Sequence, residues 1–345
     1  MKNRAAVLTA LNTIEMKDIP MPAPKRDEVL VKMEAVGICG SDIHYYQRGR
    51  IGDFVVKFPF ILGHECAGVV TQVGEDVEHL KVGDRVALEP GVPCGKCEFC
   101  LSGHYNLCPD VQFLATPPYD GCLMRYIAYP AAWAFKIPDH MSFEEGALVE
   151  PLAIGINAAK TGGVSLGHTV LIYGAGCIGL VSLLAAKAFG ATTVYIADIL
   201  DKRLETAQKL GGIPLNSKRV DVVKEVMTAT NNRGVDVVLD CAGFSQTVAG
   251  AIHACKAGGS IVLVGMGADR LNDIPLGPVS TKELKITSIF RYQNLYPTTI
   301  AAIAGGKIDV KAIVSNRYQF EDTPHAYQDT VENVQNVVKG VIVFE

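Results

Sequence analysis

Between residues 155 and 291, short apolar runs alternate with segments of helical period, a pattern that predicts a parallel sheet with helices on both faces. TVLIY (169–173), TTVYIAD (192–198), VDVVLD (235–240), SIVLVG (260–265) and LKITSIF (284–290) read as its strands. Between them, Ile178, Val181, Leu184, Ala185 and Ala188 recur at intervals of three and four, as one buried helix face requires, and Leu204, Ala207 and Leu210 do the same. The first 150 residues differ. Short strands, frequent Gly and Pro, and the punctuation Val73-Gly74 and Val82-Gly83 predict an all-β style of domain. After Arg291 the pattern predicts helices over 297–304 and 322–334 and a final strand, VIVFE, that returns to the first domain.

Composition narrows the class without changing this picture. The 345 residues are 49% hydrophobic and 20% charged, ordinary for a soluble globular protein of two domains. The formal charge of -4 offers no basic surplus for a nucleic-acid partner. The opening MKNRAAVLTALNTIEMKDIP lacks a secretory apolar core, and the run 180–189, broken by Lys187, is too short for a bilayer core of about 30 Å. A soluble, cytoplasmic protein without a membrane partner is expected.

The candidate chemistry starts directly after TVLIY, where Gly174-Ala-Gly176-Cys-Ile-Gly179 leads into the helical run. Strand, G-x-G-x-x-G and helix in that order form a dinucleotide site. The first Gly makes the tight turn, the second admits a pyrophosphate to the backbone, and the third lets helix and strand pack closely. The phosphates would lie at the helix N-terminus, where free N–H groups and the dipole favour negative charge. Asp198 ends the next strand, near the interval at which a carboxylate meets the adenosine ribose. It can accept from both ribose hydroxyls and would repel a 2'-phosphate, so NAD is expected over NADP. Arg203, five residues on, reads either as a phosphate partner or as a surface residue of the next helix.

Ten cysteines in a chain without a secretory signal favour metal thiolates over disulfides. Cys94, Cys97, Cys100 and Cys108 crowd one loop, and four thiolates close a tetrahedral zinc shell of the structural kind. Cys122, Cys177, Cys241 and Cys255 read as small buried side chains. A second, dispersed set comprises Cys39 in VGICGSDIH, His64 and Glu65 in LGHECAG, and Glu150 in ALVEPLA. A thiolate, an imidazole and a carboxylate leave one position open, as catalytic zinc needs. Taken singly, Cys39 reads as an apolar core residue, His64 as a core histidine and Glu150 as a capping carboxylate. Asp42 is placed to bond the far nitrogen of His64.

The segments GICGSDIHYY, LGHECAGVV, VGDRVALEPG, the CxxCxxCx7C lobe and GAGCIGL stand in the order and spacing of the zinc-containing medium-chain dehydrogenase/reductase family, which the chain resembles over essentially its whole length. FLATPPYDG (113–121) and SIFRY (288–292) resemble its sorbitol dehydrogenase, or L-iditol 2-dehydrogenase, branch. The resemblance implies a GroES-like β-rich catalytic domain (1–154, completed by 292–345) and a doubly wound Rossmann NAD-binding domain (155–291). It also implies a catalytic zinc held by Cys39, His64 and Glu65, with Glu150 binding directly or through water. Most alcohol dehydrogenases of the family carry Cys where this chain has Glu150, a departure that points toward polyols. By the same resemblance, Tyr45, Glu150, Arg291 and Tyr292 would contact substrate, while Ile178, Asp198, Arg203, Val264 and Met266 would line the NAD site.

The expected reaction is oxidation of a secondary hydroxyl of sorbitol, L-iditol or xylitol to the ketose, with hydride passing to NAD. Ser41, His44 or a water held by Glu150 would relay the proton. Thr116 joins Arg291, Tyr45 and Tyr292 as a polar partner for the hydroxyls of a polyol. The competing readings are another zinc-dependent alcohol, butanediol or threonine dehydrogenase, and a non-catalytic zinc- and NAD-binding redox sensor. Kinship suggests a homotetramer, and the run 260–277 is read as an apolar edge for pairing, equally compatible with a covered edge in a monomer.

Overall fold

The β-branched runs of the middle of the chain form a six-stranded, wholly parallel sheet. In chain order its strands are Thr169–Tyr173, Thr193–Asp198, Ile213–Asn216, Val235–Asp240, Cys255–Leu263 and Lys285–Ser288. In space the third, second and first are followed by the fourth, fifth and sixth, the doubly wound order in which the switch point lies between the first and fourth strands. Two runs, 169–173 and 235–240, coincide with the sequence expectation. Every residue of Val235–Asp240 is buried, which is why it reads as a continuous apolar run. This computed structural model describes residues 2–268 and 270–345.

Pro151–Leu295, with Lys307–Ile313, forms one compact unit around this sheet. The helix Cys177–Ala188 departs from the expected single face: Leu180, Val181, Ser182, Leu183, Ala185 and Ala186 are all buried, while Ile178, Leu184 and Ala188 are only partly so. It is packed on more than one side. Gly155 in the helix Val149–Thr161 leaves room for the backbone of Val181 and Ser182, which a Cβ would strike. Leu204 and Ala207 are buried as expected, but Leu210 falls just past its helix, Asp201–Lys209, and is half-buried. The run 260–277 is not the sheet edge. Cys255–Leu263 is paired on both sides and the edge is Lys285–Ser288, with every residue exposed. Asp269, within that run, lies outside the described residues.

At the opposite end of these strands from the glycine turn, Asp236 ties three of them together. Its carboxylate accepts from Thr169 N (2.9 Å), Arg233 Nη2 (2.6 Å) and Lys256 Nζ (2.6 Å). Burial pushes its carboxyl up, but the hydrogen bonds from Arg233, Lys256 and Thr169 outweigh this and hold it well below the carboxylate range. The knot therefore stabilises the fold above the unfolded-state pKa of about 4 and loses its contribution as pH falls toward the depressed folded value. Asp236→Asn is expected to cost about 2–4 kcal/mol at neutral pH and to flatten the loss of stability below about pH 4. Denaturant unfolding followed at a series of pH values would detect both effects, and an unchanged acid slope would remove this account.

The second unit comprises the residues up to Glu150, Tyr296–Gly306 and Val314–Glu345. Its seven-stranded sheet is organised around Glu28–Gly37, which pairs with Glu65–Val73, Tyr126–Pro130 and Gly340–Val343. Gly340–Val343 runs parallel to Asn316–Gln319 and antiparallel to Glu28–Gly37, so the late strand lies inside the sheet. A smaller sheet of Lys2–Ala10, Thr13–Pro20 and Phe60–Ile61 adds to the same core, which contains Val31, Met33, Leu62, Leu123 and Phe320. The late helices are Tyr296–Ala304 and Thr323–Glu332. Among the described residues, no helix is long and apolar enough to cross a membrane.

Candidate active site

Two elements bring the dispersed donors together. Cys39 precedes the helix Gly40–Arg48, and His64 immediately precedes the strand that begins at Glu65. One ligand atom from each of Cys39, His64 and Glu65 lies within 4.8 Å of the others. His64 is 6% and Glu65 1% exposed, so two of the three donors have little water to satisfy them. Asp42, wholly buried on the same helix, accepts from Gly63 N at 3.2 Å and lies 3.5 Å from His64 Nδ1, at the outer limit of a hydrogen bond. That placement leaves Nε2 of His64 for a metal. Burial disfavours charge on His64, but Asp42 and Cys39 beside it outweigh burial and raise its pKa well above the usual value. A metal binds the neutral imidazole, so metal and proton would compete for the ring. Sulfur, imidazole and carboxylate donors in one buried group fit zinc with an open position.

The expected fourth member, Glu150, stands outside this group. It is buried in the helix Val149–Thr161, near enough to Glu89 for their charges to interact. Glu89 was not singled out by sequence reasoning. It is 1% exposed, accepts a 2.6 Å hydrogen bond from Tyr105 Oη, and is pushed up to about 7 by burial, with the Tyr105 bond opposing and Glu150 reinforcing the rise. A carboxylate between Leu88 and Pro90, at the end of a buried strand, is the signal that could have found it. Lys339, also missed, forms a buried ion pair with Glu65.

The loop thiols form the other donor group. Cys94, Cys97, Cys100 and Cys108 have ligand atoms within 4.8 Å of one another, with Sγ–Sγ separations of 3.4 Å for Cys97–Cys100 and 4.0 Å for Cys94–Cys100. A tetrahedral zinc with Zn–S bonds of about 2.3 Å places its sulfurs roughly 3.8 Å apart, so the set fits a closed shell. None of the four is in a disulfide. The backbone N–H groups of Lys96 and Cys97 lower the Cys94 thiol to about 7, favouring the thiolate that zinc needs. Tyr105 joins this lobe to Glu89.

In the other unit, Gly174 has φ 90° and leads the Thr169–Tyr173 strand into the helix that starts at Cys177. A Cβ at Gly179 would overlap the Gly174 carbonyl oxygen, which is why the third glycine has no side chain. Asp198 closes over this turn. Its carboxylate accepts from Ala175 N (2.7 Å), Ile199 N (2.7 Å) and Leu200 N (2.9 Å). Arg203 Nη1 lies 3.8 Å from Asp198 and faces the space beside Gly176. Ile178 and Val264 are half-buried, and Met266 is 72% exposed.

The other residues expected at the site belong some to one unit and some to the other. Ser41, His44 and Tyr45 lie on the helix Gly40–Arg48; Tyr45 is buried edge-on to Phe60, and burial followed by Arg48 lowers His44. Thr116 is in a turn, donating its N–H to Phe113 O at 3.0 Å. Arg291 has left-handed backbone, φ 59°, fixed by a 2.9 Å bond from Asn157 Nδ2 to its carbonyl, and Tyr292 beside it is buried. A non-glycine residue held in that conformation is a feature that functional sites concentrate.

Residues 25–139 match the alcohol dehydrogenase GroES-like domain, and residues 177–305 match the zinc-binding dehydrogenase family. Sorbitol dehydrogenase of Bacillus subtilis is 45% identical over 342 residues, covering 98% of this chain and 96% of the other. Sorbitol dehydrogenase of Homo sapiens is 42% identical, covering 94% and 92%. This chain belongs to the zinc-containing medium-chain dehydrogenases, in the sorbitol dehydrogenase branch. Among solved structures of these dehydrogenases, an oxidoreductase/dehydrogenase of unknown specificity from Escherichia coli superposes with a TM-score of 0.96 at 42% identity, over 100% of both chains. The fold is accordingly the family's GroES-like β domain and Rossmann domain, and the two donor groups fit the catalytic and structural zincs of a zinc-binding dehydrogenase.

Proposed function

We propose that this protein oxidises a secondary hydroxyl of a polyol, with sorbitol, L-iditol and xylitol as the leading substrates, giving the ketose, NADH and a proton. The observation that carries this reading is the meeting of Cys39 with the buried His64 and Glu65, in a chain 42–45% identical to sorbitol dehydrogenases. Cys39, His64 and Glu65 would hold the catalytic zinc, with Glu150 acting at one remove, and Cys94, Cys97, Cys100 and Cys108 the structural one. Bound zinc supplies Lewis acidity, making a secondary hydroxyl acidic enough to ionise near neutral pH.

The chain's own side chains do the rest. Asp42 orients His64. Asp198 accepts the adenosine ribose hydroxyls through lone pairs left beside its three backbone bonds, and its charge favours NAD over NADP. Gly174, Gly176 and Gly179 shape the pyrophosphate turn, with Ile178, Arg203, Val264 and Met266 around the cofactor. Ser41, His44 and a water held by Glu150 are the proton-relay candidates; burial, followed by Arg48, lowers the pKa of His44 and so favours its neutral form. Tyr45, Thr116, Arg291 and Tyr292 are assigned to the substrate hydroxyls. Within this reading residues 1–154 and 292–345 form the catalytic domain, residues 155–291 the NAD domain, and the assembly is a cytoplasmic homotetramer.

Mixing the zinc-loaded protein with NAD and a panel of polyols is expected to produce NADH absorbance with at least one of sorbitol, iditol and xylitol. Absence of NADH with every polyol, at full zinc occupancy, would overturn the reading.

A further inference from the structure

Lys339 is among the largest fully buried side chains of the protein, and an ammonium with 2% exposure requires a specific reason. The sheet supplies one. Glu28–Gly37 lies between the strand starting at Glu65 and the strand starting at Gly340, with Gly37 opposite both Glu65 and Val341. Ile38 N donates to Gly340 O at 2.9 Å, which fixes the chain just before that strand against the end of Glu28–Gly37. Lys339 therefore starts one strand away from Glu65 and reaches it across Gly37. Its Nζ donates to Ile38 O at 2.9 Å and pairs with Glu65 Oε2, each side chain of the pair being 1% exposed. A Cβ at Gly37 would overlap that same Oε2, so the missing side chain is part of the arrangement.

The geometry points to Lys339 as a positioning residue that holds Glu65 by one carboxylate oxygen and, by its fixed positive charge, weakens the grip of the Cys39–His64–Glu65 cluster on a dication. This rests on the reading of that cluster as a metal site. Two effects of opposite sign follow. In the metal-free protein the ammonium offsets a buried carboxylate that would otherwise be unpaired. With zinc bound, two cationic centres face one carboxylate, and their repulsion raises the rate and ease of metal loss. The lysine thus keeps the metal-free site folded and the metal exchangeable.

Lys339→Met keeps the length of the side chain and removes the charge. The zinc content of the full-length protein is followed during chelator titration, with Cys39→Ser identifying which of two release steps belongs to the cluster. Zinc at the cluster is expected to bind about tenfold or more tightly in Lys339→Met. The metal-free variant is expected to melt about 5–10 °C below metal-free wild type, with a smaller loss when zinc is bound. A purely structural lysine would lower both forms equally and leave the affinity unmoved; that result, or weaker binding, overturns the inference. If Lys339→Met does not fold, Glu65→Gln with Lys339→Met leaves no unpaired buried charge and is expected to fold; its failure to do so is equally fatal. A wild-type chain holding one zinc removes the metal-site reading and this inference together, whereas two zincs with unaltered affinity in Lys339→Met removes this inference alone.

Discussion

Cys39→Ser is expected to release one of two zinc ions per chain and to lower polyol oxidation by about 10³-fold or more, while the protein stays folded. The hydroxyl of serine does not ionise as a thiol does, so the cluster loses an anionic, polarisable ligand and keeps only an imidazole and one carboxylate. Folding should survive because Cys39 occupies the N-cap position of Gly40–Arg48 with extended backbone, φ -94° and ψ 152°, a position that serine favours. The four loop thiols are untouched and should retain their zinc. Zinc analysis, NADH production and circular dichroism on one preparation separate these outcomes. Wild-type turnover in a Cys39→Ser protein holding a single zinc would end the case for this cluster as the reaction centre.

Sorbitol or xylitol is expected to exceed ethanol in kcat/KM by at least about 10²-fold. The reason lies in polar side chains that must be matched. Tyr45, Tyr292 and Glu150 are each at most 5% exposed, and with Thr116 and Arg291 they are the proposed partners of the substrate hydroxyls. A polyol offers these groups several hydroxyls at once, and a site built to hydrogen-bond them discriminates strongly against an alcohol that carries only one. An apolar wall would give the reverse order. Initial-rate measurements with both alcohols at saturating NAD decide it: comparable efficiencies would sink polyol specificity and leave zinc-dependent alcohol oxidation standing.

The sheet of the NAD unit was legible because its central strands are buried on both faces and carry the β-branched residues that such burial selects. Thr169–Tyr173 and Val235–Asp240 were readable to the residue. Ile213–Asn216 was not: it is short, contains a proline, and has no buried residue to generate an apolar run. Cys255–Leu263 begins before Ser260 because CKAGG pairs only irregularly, with a register break between Val235 and Val237. In the site, the close spacing of Cys94, Cys97, Cys100 and Cys108 declared a metal group without any fold. Cys39, His64, Glu65 and Glu150 could be grouped by donor chemistry, but each has an ordinary reading alone, and the family resemblance was what favoured the metal reading. Lys339 escaped notice although a lone cation in VVKGVIV is an anomaly, because its partner is brought near only by strand pairing.

The unit that holds the cluster is interrupted by the whole of Pro151–Leu295, and its central strand, already paired with Glu65–Val73 and Tyr126–Pro130, acquires its last neighbour only at Gly340–Val343. During translation the inserted parallel sheet can therefore finish first, reversing the usual amino-to-carboxyl order of domain completion. Cys39, His64 and Glu65 emerge early from the ribosome, yet their framework is closed last. The sheet around those donors is complete only when the last residues of the chain have been made, long after the loop thiols at 94–108.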